Sequence, residues 1–168
     1  METTQMTEKL NQVMTSEQLL AHWQGHRALT RRVIEAFPED KMFDYSIGGM
    51  RPFVGLMVEL IDLADGGVEG LATGNWKPSE EMAHVTGNVP QSKEELLSKW
   101  DEVTEKINLF FPQIAEDRFQ EHVLAFGQYE GTVSSTLFYF IDNEIHHRGQ
   151  AYVYLRSLGI NPPFFWER

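Results

Sequence analysis

Residues 134–159 read SSTLFYFIDNEIHHRGQAYVYLRSLG. Their apolar positions recur at helical spacing, and Gly159 supplies a C-terminal stop. One long helix is therefore expected, from Thr132 or Ser134 to Leu158. Its centre is the anomaly. DNEIHHRGQ, residues 142–150, sits between FYFI and AYVYL, and a polar cluster inside an apolar helix must face water or be satisfied internally. At 3.6 residues per turn, Asn143 shares a face with His147, Asp142 with His146, and Glu144 with His147. Either Asn143/His147 or Asp142/His146 presents two metal ligands from consecutive turns. Gly149 in mid-helix costs stability unless something needs the room, so a close helix contact is expected there.

Working outward, the same periodicity marks three more helices. Thr15 and Gln18 have capping-box spacing ahead of Leu19, Trp23, His26, Thr30, Val33 and Phe37, and Pro38 closes that helix. A second helix spans about Met50 to Ala72, with Phe53, Leu56, Met57, Leu60, Leu63 and Ala64 as its stripe. Gly66, Gly67 and Gly70 fall inside this pattern, so the helix frays there or another backbone approaches closely. A third helix opens at Ser92 and Glu95, runs through Trp100 and Ile107, and stops before Pro112. Residues 73–91 read as a long irregular connection of the kind that is usually functional or mobile. Residues 113–132 read as a turn region with a short strand or helical piece around FQEHVLAFG. The tail INPPFFWER carries three aromatics expected to pack back on the helices, and the four tryptophans read as packing anchors. Four amphipathic helices joined by long crossovers describe an all-α four-helix bundle.

The chain has 168 residues and carries 14 Lys and Arg against 25 Asp and Glu, a formal net charge of −11. At roughly 150 residues per domain this favours one domain, residues 16–168, behind a polar lead at 1–15. The acidic balance argues against nucleic acid, which needs a cationic face, and against an anionic membrane surface. Zero cysteines exclude disulfides, thiolate nucleophiles and Cys-ligated metals, so a metal would be held by His, carboxylates, amides or water. The N-terminus lacks the apolar core of a signal peptide, and FVGLMVELIDLA is interrupted by Glu59 and Asp62. A cytoplasmic protein is expected.

Two further polar intrusions stand out. Glu59 lies on or beside the buried stripe of the second helix, where a carboxylate is expensive unless paired or metal-bound; the other reading is that it flanks the stripe and reaches solvent. His22 and His26 form an i, i+4 pair, with His26 on the apolar face, as a metal clamp or as hydrogen-bonded core. His84 and His122 sit in connections without pattern. Phosphate loops, dinucleotide glycine fingerprints and Gly-x-Ser-x-Gly elbows are missing.

The string HHRGQAYVYLRSLGINPP resembles the C-terminal signature of the DinB/YfiT-like family, and GGMRPFVGLMVELIDLADGGVEGL is similar to that family's second helix. The family name refers to a DNA-damage-inducible gene and carries no implication of DNA contact. The resemblance implies a four-helix bundle, often homodimeric, with a divalent metal (Zn, Ni, Mn or Fe) between helices two and four. It further implies a metal-dependent enzyme acting on a small molecule, in the manner of thiol-dependent transferases and an isomerase. The family's usual ligands are three histidines. Here the matching positions are Glu59, Asn143 and His147, so one imidazole remains, and His26 is the candidate acid–base or orienting group. A carboxylate–amide–imidazole set is harder than three imidazoles and binds any metal more weakly. The alternative is a non-catalytic binding or stress protein in which the metal is lost and Glu59 bonds to His147 within a polar core network.

Overall fold

The computed structural model describes residues 13–168, so all but the end of the polar lead lies outside the described residues. The chain is mostly helical. Helix α1 (Ser16–Ala36) opens with the expected capping box: the Thr15 hydroxyl accepts from the Gln18 amide and the Gln18 side chain accepts from the Thr15 amide. It ends where Phe37, ahead of Pro38, turns extended. Helix α2 (Phe53–Thr73) begins three residues later than the apolar pattern suggests. Pro52 is the reason, because its ring disfavours helical backbone at Arg51. Gly74, at φ 82°, ends the helix.

The connection to the next long helix holds a 3-10 turn, Ser79–Glu81, and a short helix α3 (Ala83–Thr86). Helix α4 (Lys93–Phe110) follows, with the Ser92 hydroxyl capping the Glu95 amide. Only half of that capping box forms, since the Glu95 carboxylate reaches the Gln91 amide instead. Helix α5 (Val133–Ser157) is capped by Thr132 and followed by Gly159 at φ 75°.

Strand β1 (His122–Ala125) pairs antiparallel with β2 (Tyr129–Thr132), His122 opposite Thr132 and Ala125 opposite Tyr129. This hairpin corrects the all-α expectation. Its turn is made by Phe126 and Gly127, both at positive φ, a conformation that glycine supplies without steric cost. The long helices pack pairwise, α2 against α4 and α5, and α1 against the same two. Their shared interior is aromatic: Trp23, Phe37, Phe53, Trp100, Phe111 and Phe140 are buried, and the Phe37 and Phe53 rings stack 3.8 Å apart.

The α2 glycines neither fray the helix nor admit another backbone. A methyl group at Gly67 would lie 2.4 Å from the Phe140 ring, and one at Gly70 would lie 2.3 Å from Trp76. Aromatic rings fill the space those side chains would occupy. Gly149 is the reverse case: it is exposed, and nothing lies within 4 Å of an added Cβ, so no close helix contact explains it. Trp23 and Trp100 anchor the interior, Trp76 is half-buried, and Trp166 is exposed. The tail aromatics Phe164, Phe165 and Trp166 cluster with one another and stay exposed. What docks is the chain end, where Glu167 meets Arg32 and Arg168 meets His26. Among the described residues no helix is long and apolar enough to cross a membrane.

Candidate functional site

Glu59 faces inward from the second turn of α2, and Asn143 and His147, one turn apart on α5, face it. The Glu59 Oε1 atom lies 3.2 Å from His147 Nε2 and 3.3 Å from Asn143 Nδ2. Its other oxygen, Oε2, is ion-paired with Arg51, just ahead of α2. Burial raises the Glu59 carboxyl pKa, but the bond from His147, when its Nε2 carries a proton, and the bond from Arg51 outweigh burial and hold it at about 2.

His147 is oriented from behind. Its Nδ1 is 2.7 Å from Gln150 Oε1, so the ring donates there and turns Nε2 toward Glu59. A lone pair on Nε2 set against a carboxylate oxygen is favourable only with a proton or a metal ion between them. An outer hydrogen bond that fixes the tautomer is the arrangement metal-ligating histidines use. Two atoms bound to one zinc-like ion at about 2.0–2.2 Å in tetrahedral geometry lie about 3.4 Å apart, close to the separations here. Rotating the Asn143 amide would present its oxygen to the same point. Among the described residues no group of three or more His, Asp or Glu side chains converges. The donor set is one carboxylate, one imidazole and one amide, which fits a hard divalent cation held weakly. The alternative pair from the sequence, Asp142 and His146, is exposed on the outer face of α5.

His26 belongs to a different cluster. Its Nδ1 is 2.9 Å from Arg148 Nη2 and its Nε2 is 3.0 Å from Arg168 Nη1 and 3.2 Å from His22 Nε2. None of its hydrogen bonds reaches Glu59, Asn143 or His147. Around it lies a buried polar core. Thr30 donates to Glu144 at 2.6 Å, and Arg148 donates to Thr30 at 3.0 Å. Arg27 donates to the Trp100 carbonyl at 2.9 Å and lies with its guanidinium carbon 3.4 Å from the Trp100 ring centre. The polar segment of α5 is thus split by helical phase, Asn143 and His147 toward α2, Glu144 and Arg148 toward α1.

Burial, together with the positive charges of Arg148, His22 and Arg168, lowers the His26 pKa from 6.5 to about 3. The ring is neutral in the folded chain and takes up a proton on unfolding. Its effect is absent above pH 6.5, and stability falls as pH drops from 6.5 toward 3, by at most about 1.4 kcal/mol per pH unit. Between pH 7 and pH 5 the wild-type protein is expected to lose about 2 kcal/mol more than a His26→Gln variant in urea titrations. Parallel losses would show that His26 does not carry this dependence.

Beside Glu59 a cavity of about 370 Å³ opens between α2, α5 and the hairpin. Phe126, Tyr129, Tyr139 and Phe140 give it an aromatic wall, and Ser135 and Thr136 bring hydroxyls. His84, from α3, lines it as well. That imidazole is held by Asp62: both the His84 backbone amide, at 2.8 Å, and its Nδ1, at 2.7 Å, meet Asp62 Oδ2. Sequence reasoning missed Arg51, Asp62, His84 and the hairpin wall. Asp62, three residues after Glu59 on the same apolar helix, was the one with a local signal. Arg51 and His84 reach the site from connections, which carry no period.

The chain matches the DinB family over residues 6–167. Among solved structures, it is similar to a DinB-like protein from Bacillus subtilis, with a TM-score of 0.70 and 22% identity over 90% of this chain and 99% of that one. A DinB-like protein from Bacillus cereus ATCC 10987 gives a TM-score of 0.67 and 16% identity over 89% of this chain and 97% of that one. A mycothiol-dependent maleylpyruvate isomerase gives 0.65 and 14% identity over 82% of this chain and 61% of that one. At these identities the likeness is one of fold. No curated protein matches the chain.

Proposed function

The chain belongs to the DinB family, and from that premise we propose that it is a small-molecule enzyme built on a single four-helix-bundle domain. In this reading Glu59, Asn143 and His147 hold a divalent cation at the edge of the aromatic cleft, and the reaction is a thiol-dependent transfer or isomerisation. The observation that carries it is the convergence of His147 Nε2 and the Asn143 amide on one oxygen of Glu59 at ligand-like separations, with Gln150 fixing the imidazole. A bound divalent cation supplies Lewis acidity that makes a thiol or water nucleophilic at neutral pH. The protein's own groups do the rest: Gln150 holds the His147 tautomer, Arg51 sets the charge at Glu59, and the cleft seats an apolar substrate. His26 acts as an orienting group through Arg148, behind the His147 turn, rather than as an acid or base. The net charge of −11 supports a protein without nucleic-acid or membrane partners, and a cytoplasmic homodimer accords with the family resemblance.

One observation favours a second reading. Arg51 already neutralises Glu59, so the cluster can stand as a metal-free polar network in a binding protein. Elemental analysis and calorimetric titration with Mn²⁺ and Zn²⁺, on protein purified without a chelating column, separate the two. The metal reading expects near one equivalent, lost in Glu59→Ala and His147→Ala, and binding at least several-fold tighter in Arg51→Ala, which removes the competing cation. Failure of both the wild type and Arg51→Ala to bind would leave the metal-free network.

A further inference from the structure

Asp62 and His84 form a second polar unit on the cleft, separate from the Glu59 cluster. The Asp62 side chain is buried, with 5% of its surface exposed. One oxygen, Oδ2, takes both the His84 Nδ1 and the His84 backbone amide, and the other faces Lys77 Nζ at 3.8 Å. A carboxylate accepts hydrogen bonds only, so the neutral imidazole carries its proton on Nδ1 and keeps the Nε2 lone pair. His84 lines both the 370 Å³ cavity and the neighbouring one bounded by Ser79, Met82 and Gln128. Among the described residues Nε2 has no hydrogen-bond partner, and it is not among the buried unsatisfied atoms. A backbone tether alone would explain the amide bond to Asp62. It does not explain why the same oxygen also fixes the ring with the opposite nitrogen left unpartnered at a cleft.

We propose that His84 is the proton acceptor of this cleft, with Asp62 as its positioning residue, for a neutral substrate that joins an ionisable S–H or O–H group to an aromatic partner. The aromatic wall of Phe126, Tyr129, Tyr139 and Phe140 suits a flat apolar electrophile. The Glu130 carboxylate on the same lining disfavours an anionic one. The thiol form of the proposal rests on the thiol-dependent reading above; the dyad itself does not. The chain has no cysteine, so a reacting thiol has to arrive with the substrate.

The step balances without a redox partner. The thiol proton passes to His84 Nε2 as sulfur forms its bond to the electrophilic carbon, the leaving group departs with the electron pair of the broken bond, and the imidazolium returns its proton to water. The probe is 2-mercaptoethanol with 1-chloro-2,4-dinitrobenzene, in which a C–S bond forms and a C–Cl bond breaks to release chloride. General-base catalysis is commonly worth about 10²–10⁴-fold, so His84→Gln should lower the protein-dependent rate at least tenfold. Asp62→Asn should lower it less, and added imidazole should restore part of the rate to His84→Gly, which a merely structural histidine would not allow. Nitrogen-15 spectra of the wild-type protein should show neutral His84 protonated on Nδ1, a result independent of any variant's folding.

Chelation with EDTA distinguishes this proposal from the metal reading. A rate that survives EDTA and fails in His84→Gln keeps the dyad and removes the metal; loss under both treatments keeps both. A rate unchanged in His84→Gln, no acceleration by the wild-type protein, or an Nε2–H tautomer would each overturn the assignment.

Discussion

Replacing Glu144 by alanine is expected to destabilise the protein by about 3–5 kcal/mol, the usual cost of orphaning buried charges. Glu144 is 2% exposed and is the carboxylate toward which two buried guanidinium groups turn. Arg27 Nη1 lies 4.0 Å from Oε2 and Arg148 Nη1 lies 3.8 Å from Oε1. Arg27 Nη1 has no hydrogen-bond partner among the described residues, so the charge of Glu144, with a smaller part from Asp101, is what compensates it. Burial lowers the Arg27 pKa to about 10 and raises that of Glu144, while each charge opposes the shift of the other. Denaturant titration should show the loss directly, with a fall in Tm of about 6–20 °C at roughly 2–4 °C per kcal/mol for this chain length. Glu144→Gln keeps the Thr30 bond and the shape but not the charge, so it should fall between. A Glu144→Ala loss below about 1 kcal/mol would mean that the two arginines find compensation elsewhere.

Gly67→Ala should be destabilising although alanine is the better helix former. The new methyl group would sit 2.4 Å from the Phe140 ring. That ring is 4% exposed and packs against Trp23 and Phe126 at 6.2 Å in each case, so it can yield only by breaking these contacts and moving into the cleft it lines. Overpacking of this kind costs about 1–3 kcal/mol or more, against a gain of about 1 kcal/mol in helix propensity. The expected net loss is about 1–2 kcal/mol, measurable in urea. Gly149→Ala is the matched contrast: with open space around it it should gain up to about 1 kcal/mol. Equal effects at the two positions would mean that α2 does not need its close approach to Phe140.

The long helices were legible because their signals are local. Thr15 with Gln18, Ser92, Thr132, Pro38 and Gly159 each act within a few residues of an end. The start of α2 was misplaced because the apolar pattern runs on through Met50, whereas Pro52 governs the backbone. A short strand is one of the two readings of FQEHVLAFG, where β1 lies. Its partner β2 and the pairing escaped because four-residue strands are too short to establish a period, and the turn relies on Phe126 at positive φ. Within the site, Glu59 was visible as a carboxylate on an apolar stripe, and Asn143 and His147 by their spacing. Spacing alone also paired Glu144 with His147, and there it misled: Glu144 turns with Arg148 to Thr30 and Arg27, while His147 turns to Glu59. Which neighbour receives each face depends on how the helices assemble. Arg51 and His84 arrive through connections whose paths only the folded chain defines. The tail aromatics show the opposite error, since hydrophobicity alone did not bury them.

Residues 122–132 form one face of the cleft, yet the interior that holds the long helices together is largely made without them. The lining of the cleft and the support of the helices are therefore carried by separable parts of the chain. A substitution at Tyr129 or Glu130, both exposed on β2, changes what the pocket meets while leaving Trp23, Trp100 and the buried arginines untouched. The architecture allows the cleft to change its lining by drift in one small hairpin, with the scaffold held constant.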